Sequence, residues 1–300
     1  MEIKTWISAF RLRTLPLALA CIGMGGFLAA SQGAFRIDIF ILCALTTIFL
    51  QVLSNLANDY GDSIHGADHA GRKGPTRAVQ TGAISPMQMR NALLVFVGLC
   101  LTSGISLLIL SFGFNWNAFL FFFGLGLLSI LAAVAYTVGR KPYGYMGLGD
   151  ISVLIFFGLV GVLGSVYLFT QEVNPLQILP AMSCGFFSMG VLNINNIRDI
   201  ESDRVAGKFS IPVRIGKQKA TAYHWFLLMG GLLTALVYNL ITFISSWQFL
   251  FLVTVPLFIL NGRAVQQKAE HELDPYLKQM ALSTLLFVIL FGLGQLIALQ

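Results

Sequence analysis

Charge is what this chain most lacks. Only 11% of its 300 residues are Asp, Glu, Lys or Arg, against about 25% in an ordinary soluble domain. With 56% hydrophobic residues and a mean hydropathy of +0.78, that scarcity excludes a water-soluble globular fold. Cysteine is sparse too. All four (Cys21, Cys43, Cys100 and Cys184) fall inside apolar runs without metal-ligand spacing, which excludes a disulfide framework and a thiolate metal centre. The four histidines (His65, His69, His224 and His271) lie in loops or at a span end, have no ligand spacing, and receive no role. Extended polar sequence is scarce: the longest stretch, Tyr60 to Met89, reads as a substantial loop.

What the chain has is apolar runs. A bilayer core takes roughly 20 apolar residues per helix. By that measure there are nine candidate spans, at about 15–35, 37–58, 90–112, 116–138, 149–171, 176–197, 221–243, 247–262 and 280–299. The expected fold class is therefore all-α, a polytopic membrane protein with a single domain over residues 1–300. The first run leads into the multi-span pattern and lacks a small-residue cleavage site, so it reads as a span rather than a signal peptide. A net charge of +6 invites a nucleic-acid reading, but the distribution opposes it. Every Lys and Arg except Arg36 precedes the first span or follows an even-numbered one. The positive-inside rule puts that side, with the amino terminus, in the cytoplasm.

The few acids are not scattered. In QVLSNLANDYGDSIHGAD, at the end of the second span, Asn55, Asn58, Asp59 and Asp62 fall at i, i+3, i+4 and i+7. If the helix continues two turns, these side chains share one face. In NINNIRDIESDRVAGK, after the sixth span, Asn195, Asn196, Asp199 and Asp203 are expected to do the same. Carboxylates at membrane depth are expensive and face polar cavities, so they mark functional sites. Four spans separate the clusters, which brings both to one membrane face. Each is followed by similar residues: Pro75, Thr76, Arg77 and Gly82, then Pro212, Val213, Arg214 and Gly216. This suggests a parallel internal repeat over about 10–140 and 145–262.

Two clusters of Asp and Asn around one cavity suit Mg2+, which prefers oxygen ligands and binds through one or two carboxylates plus substrate phosphates. Lys73, Arg77, Arg140, Lys208 and Arg214 in the adjoining loops are candidates for the remaining phosphate oxygens. A diphosphate with a lipid tail is the implied ligand, and metal and basic groups would stabilise it as it departs. Arg11 and Arg13 before the first span read equally as headgroup anchors and as substrate contacts. Asp150 at the start of the fifth span reads first as a helix cap. Tyr136, Tyr143 and Asp150 could also border an aromatic acceptor. The last loop, Gly262 to Lys278, reads as a solvated connector.

These motifs resemble the UbiA superfamily of intramembrane aromatic prenyltransferases, whose signatures are NxxxDxxxD-type and DxxxD motifs in two cytoplasmic loops. They stand here as Asn58-x3-Asp62 and Asn195-x3-Asp199-x3-Asp203. LSNLANDYGD, YGYMGLGDISV and LNINNIRDIESDRVAGK are most similar to the branch acting on 1,4-dihydroxy-2-naphthoate. The resemblance covers nearly the whole chain. It implies a UbiA-type bundle in the inner (plasma) membrane of a bacterium, with the active cavity on the cytoplasmic side. It also implies Mg2+-dependent transfer of a polyprenyl group from its diphosphate to the aromatic acid with loss of carbon dioxide, leading to demethylmenaquinol. Asn58, Asp62, Asp199 and Asp203 would bind metal, supported by Asn55, Asp59 and Asn195, with Asp62, Asp199 and Asp203 the catalytic acids. One departure matters: Gly66 replaces the third acid of the first motif, leaving Asp59, Asp68 or water to complete that shell. Two alternatives stay open. One is a prenyltransferase for another acceptor such as 4-hydroxybenzoate. The other is a transporter, which would place its acids near mid-span.

Overall fold

The structure, a computed structural model, describes residues 3–65 and 77–300. Among the described residues there is no strand, and nine helices are long and apolar enough to cross a membrane. The chain enters through a short amphipathic helix, α1 (Ile3–Phe10), and turns at Arg11 into a 3₁₀ turn (Leu12–Thr14) and α2 (Leu15–Ser31). Arg11 has left-handed backbone angles (φ 50°, ψ 55°), a conformation costing a non-glycine residue roughly 1–2 kcal/mol. There follow α3 (Ile37–Ile64), α4 (Pro86–Phe112), α5 (Trp116–Ala135), α6 (Gly149–Thr170) and α7 (Pro175–Arg198). A short α8 (Ile200–Val205) leads to α9 (Ile211–Ile241), α10 (Ser246–Gln267) and α11 (Asp274–Ala298).

All nine expected spans are present, but several ends move for local reasons. The first span stops at Ser31, not 35, because the chain turns through Gly33 at φ 72°. The third starts at Pro86 rather than 90. Ser85 accepts from the Gln88 amide while the Gln88 side chain accepts from the Ser85 amide, a capping box that apolar periodicity does not reveal. The seventh begins ten residues early, at Ile211. Gly216 (φ 78°, ψ 163°) kinks it, which is why IPVRIGKQ reads as a loop. The eighth opens as a 3₁₀ helix (Ser246–Thr254) and runs five residues past 262, to Gln267.

Lipid tails are as apolar as leucine, so membrane helices associate through close packing and buried polar contacts. The main core gathers α2, α6, α7, α9, α10 and α11 around stacked Phe187 and Phe258 (centroids 4.3 Å), with Phe287 edge-on to Phe187 at 4.9 Å. At the end away from the acids, Gln248 donates to Gln295 (3.0 Å), Gln295 to Asn239 (2.6 Å) and Asn239 to the Gln248 carbonyl (2.5 Å). This ring ties α9, α10 and α11 together. Along α6 the middle eleven residues, Leu154–Gly164, form a π-helix, a rare form concentrated at functional sites. There the α6 and α7 backbones meet at glycines: a Cβ on Gly158 would lie 2.9 Å from the Ala181 carbonyl oxygen and 3.0 Å from Gly185 Cα. α5 is different. It packs chiefly against α3 and α4 and buries only Ala118.

Gly158→Val forces these backbones apart, and overpacking of this kind costs about 1–3 kcal/mol. Its thermal unfolding midpoint in detergent is expected to fall below wild type; an unchanged midpoint would refute the backbone contact.

Candidate active site

The first cluster sits where the sequence expects it. α3 continues without a break to Ile64, two turns beyond the apolar run, and carries Asn55, Asn58, Asp59 and Asp62. Gly61 lets this end of the helix touch the segment after α5, since a Cβ there would lie 2.5 Å from the Thr137 carbonyl oxygen. Thr137 in turn donates to the Ala57 carbonyl (2.9 Å) and to Asn58 Oδ1 (3.3 Å). Asn55 donates to the Phe10 carbonyl (2.9 Å) and Thr14 Oγ1 (3.1 Å), so it pins the Arg11 elbow to α3.

The second cluster departs from expectation in two respects. Asp199 is not inside a helix but at the junction of α7 and α8, with φ −100° and ψ 12°. The i−4 hydrogen bonds still cross the junction, Asp199 N to Asn195 O (3.1 Å) and Asp203 N to Asp199 O (2.8 Å). Asn195, Asp199 and Asp203 therefore keep a common side. Asn196, one residue on, is turned about a quarter-turn away from that side; it is buried and lines neither recess, whereas Asn195 lines both.

Two connections bring the clusters together. The Tyr145 hydroxyl donates to Asp62 Oδ1 (2.7 Å), and its carbonyl accepts from the Phe209 amide (2.9 Å). Next to Phe209, Lys208 is buried with Nζ 3.1 Å from Asp203 Oδ2. Burial opposes the Lys208 charge, but Asp203, Tyr136, Asp62 and Asp199 outweigh it and raise its pKa above the ordinary lysine value. Carboxylates of both clusters thus act on one ammonium. Asn55 and Asn58 from one cluster and Asn195 from the other also line a single cavity of 420 Å³. Below this polar end the walls are apolar, among them Leu108, Phe122, Phe123, Phe156, Phe157 and Val160. A second recess of 280 Å³ adjoins Arg11, Arg13, Asp59, Arg77, Asn195 and Arg198.

Residues 18–285 match the model of the UbiA prenyltransferase family. This chain belongs to that family. It is 44% identical over 292 residues to a 1,4-dihydroxy-2-naphthoate octaprenyltransferase of Escherichia coli (strain K12), covering 97% of this chain and 94% of the relative. It is 47% identical over 300 residues to the protein of the same name in Haemophilus influenzae, covering 99% and 97%. A UbiA homolog from Aeropyrum pernix K1 in its apo form superposes with a TM-score of 0.68 at 18% identity, over 97% of this chain and 99% of the other. A UbiA homolog from Archaeoglobus fulgidus bound to DMAPP and Mg2+ gives 0.60 at 18% identity, over 95% and 98%. With nine membrane-length apolar helices among its described residues, this UbiA family member is an integral membrane protein.

Within the UbiA bundle the basic candidates separate. Arg77 is buried, donating to Asp62 Oδ2 (2.5 Å) and the Asn58 carbonyl (2.8 Å), with Nε 3.5 Å from Asp59 Oδ1. Arg11 pairs with Asp59. Arg214 is exposed and directs its guanidinium at the Phe209 (2.9 Å) and Met146 (2.7 Å) carbonyls, clamping two loops rather than facing the acids. Arg140 is exposed on its loop. Lys73, like Asp68, lies outside the described residues. Tyr143 lines the cavity, its hydroxyl bonded to the Ala132 carbonyl (2.8 Å) and Ser152 (2.9 Å), and packs edge-on to Tyr136 (centroids 5.3 Å). Asp150 does not cap α6, which begins after Leu148; it accepts instead from the Tyr223 hydroxyl (3.0 Å).

Sequence reasoning missed Arg198 and Asp274. Arg198 holds Asp199 (2.7 Å) and Asn195 (2.8 Å), and shares Asp274 (2.5 Å) with Arg13 (2.6 Å). The supposed solvated connector thus supplies an acid to the site. Arg198 had a legible signal, its place directly before Asp199; Asp274 had none. The donor set fits a hard divalent cation: acids and amides throughout, with Asp203 Oδ2 buried and held only by its ion pair with the Lys208 ammonium at 3.1 Å.

Asp274→Asn removes the carboxylate that both arginines share. Amide exchange over residues 3–14 is expected to speed up by about fivefold, equivalent to roughly 1 kcal/mol. Exchange at the wild-type rate would show that Arg13 does not hold the elbow.

Proposed function

We infer that this UbiA family member transfers a polyprenyl group from its diphosphate to 1,4-dihydroxy-2-naphthoate with loss of carbon dioxide, a step toward menaquinone. The observation that carries the reading is one cavity with Asn55 and Asn58 of the first cluster and Asn195 of the second at its polar end and apolar walls beneath, the carboxylates of both clusters standing on the same helix ends beside buried cations. The near full-length identity to relatives of that name supports the choice of acceptor. A transporter reading draws no support from the placement of the acids: they stand at helix ends, not mid-span.

In this reading Asn58, Asp62, Asp199 and Asp203 hold Mg2+, and Asn55, Asp59 and Asn195 keep them in place. Mg2+, when bound, supplies positive charge at the diphosphate oxygens as the allylic carbon–oxygen bond breaks. Arg77 and Lys208 supply further positive charge to the departing diphosphate. The apolar walls take the isoprenoid tail and keep water from the allylic cation. Tyr136 and Tyr143 present ring faces to that cation and to the acceptor. The ring carbon bearing the carboxylate attacks, and release of carbon dioxide returns the electron pair to the ring. The lysine- and arginine-bearing side faces the cytoplasm of a bacterial inner membrane.

Purified protein given Mg2+, a polyprenyl diphosphate, 1,4-dihydroxy-2-naphthoate and 4-hydroxybenzoate should form the naphthoate product by mass spectrometry; exclusive use of 4-hydroxybenzoate would overturn the acceptor. Asp62→Ala and Asp199→Ala are each expected to lower turnover by at least about 10²-fold while remaining folded and inserted. Wild-type turnover in either variant would remove the assigned role.

A further inference from the structure

Each buried carboxylate of the two clusters is already matched by a cation of the chain itself. Asp59 faces Arg11 and Arg77, Asp62 holds Arg77, Asp199 holds Arg198, and Asp203 holds Lys208. Asp274, beside them, is shared by Arg198 and Arg13. Among the described residues no three acidic, histidine or cysteine side chains converge as a ready ligand set. The carboxylates point at ammonium and guanidinium groups instead.

This pairing has a consequence for each half of the ligand. A divalent cation arriving alone would have to take carboxylates from Arg77 and Lys208, leaving two buried positive charges beside a new double charge. Separating a buried pair in this way is strongly unfavourable. A diphosphate arriving alone meets cations whose charge is already neutralised, with carboxylates alongside that repel it. Arrival of both removes both penalties. The carboxylates turn to the metal, the freed Arg77 and Lys208 turn to the phosphate oxygens, and no charge is left unpaired. The Asn58 carbonyl (2.8 Å) keeps Arg77 tethered during the change. Arg198, which has both Asp199 and Asp274, retains a partner throughout.

We propose that prenyl diphosphate and divalent cations enter this site only together, through an exchange of ion-pair partners in which Arg77 and Lys208 release Asp59, Asp62 and Asp203 and take the phosphate. This rests on the prenyl diphosphate reading above and adds the order of binding to it. Lys208 and Arg77 then act both as gatekeepers of the metal ligands and as diphosphate ligands.

The test is a binding measurement, with no turnover. Mn2+ binding to the full chain in nanodiscs is followed by electron paramagnetic resonance, with and without geranyl S-thiolodiphosphate, which resists ionisation. Wild type should bind Mn2+ at least about tenfold more tightly with the thiodiphosphate, and Mn2+ should tighten thiodiphosphate binding by the same factor. Lys208→Met frees Asp203, so Mn2+ binding without diphosphate should strengthen by about tenfold and the coupling should shrink; Lys208→Arg, which keeps the charge, should retain the coupling that Lys208→Met loses. Equal Mn2+ affinity with and without thiodiphosphate in wild type overturns the exchange, whatever the variants do. So does a folded Lys208→Met protein that gains no Mn2+ affinity. In those cases naphthoate prenylation by the same preparation leaves the function standing. Failure of the thiodiphosphate to bind even with Mn2+ overturns the function as well.

Discussion

The structure depends on matching buried charge with buried charge at one end of a membrane bundle. Four carboxylates of the two clusters are almost fully enclosed, and lone charges there would be costly. The chain meets the demand from four separate segments, the elbow at Arg11, the connection between α3 and α4 (Arg77), the end of α7 (Arg198) and the turn after α8 (Lys208), and Asp274 at the start of α11 gives Arg198 a second partner. These ion pairs join parts of the sequence that are far apart. They also explain why so few charges suffice in a chain of this length, since most of the buried ones meet at this end.

The bundle holds these charges in register through backbone contacts more than through side-chain bulk. Gly61 brings the tip of α3 against Thr137, while Gly158 and Gly185 bring α6 against α7. Gly147, at φ 79°, allows the loop before α6 to pass the Phe209 carbonyl, where Arg214 clamps it. Tyr145 lies in that loop and bridges the two clusters. The glycines in YGYMGLGD thus position the tyrosine that joins the two clusters.

The sequence makes the class of the fold legible because membrane helices are long apolar runs, and nine of them stand out. It also reveals Asn55 to Asp62 and Asn195 to Asp203, because four-residue spacing on a helix survives even the break at Asp199. Helix ends were poorly legible: a cap at Ser85 or a kink at Gly216 depends on one residue's backbone, not on periodicity. Partners were the least legible. Nothing about Asp274 in its mixed-charge loop marks it as belonging beside Arg198, 76 residues earlier. Arg214 looked like Arg77 by its place after a proline, yet it clamps two carbonyls at the surface. Which basic residue faces the acids is decided by tertiary packing alone.

The sparse burial of α5 bears on how the protein sits among its lipids. This helix forms one side of the cavity, with Phe122, Phe123, Gly126 and Ile130 turned inward and Leu120, Phe121, Leu128 and Leu131 exposed outward. A Cβ on Gly124 or Gly126 would meet nothing. The partition between chamber and bilayer is thus one helix thick on that side. Acyl chains packed on Leu120, Phe121, Leu128 and Leu131 therefore lie a single helix away from whatever fills the cavity.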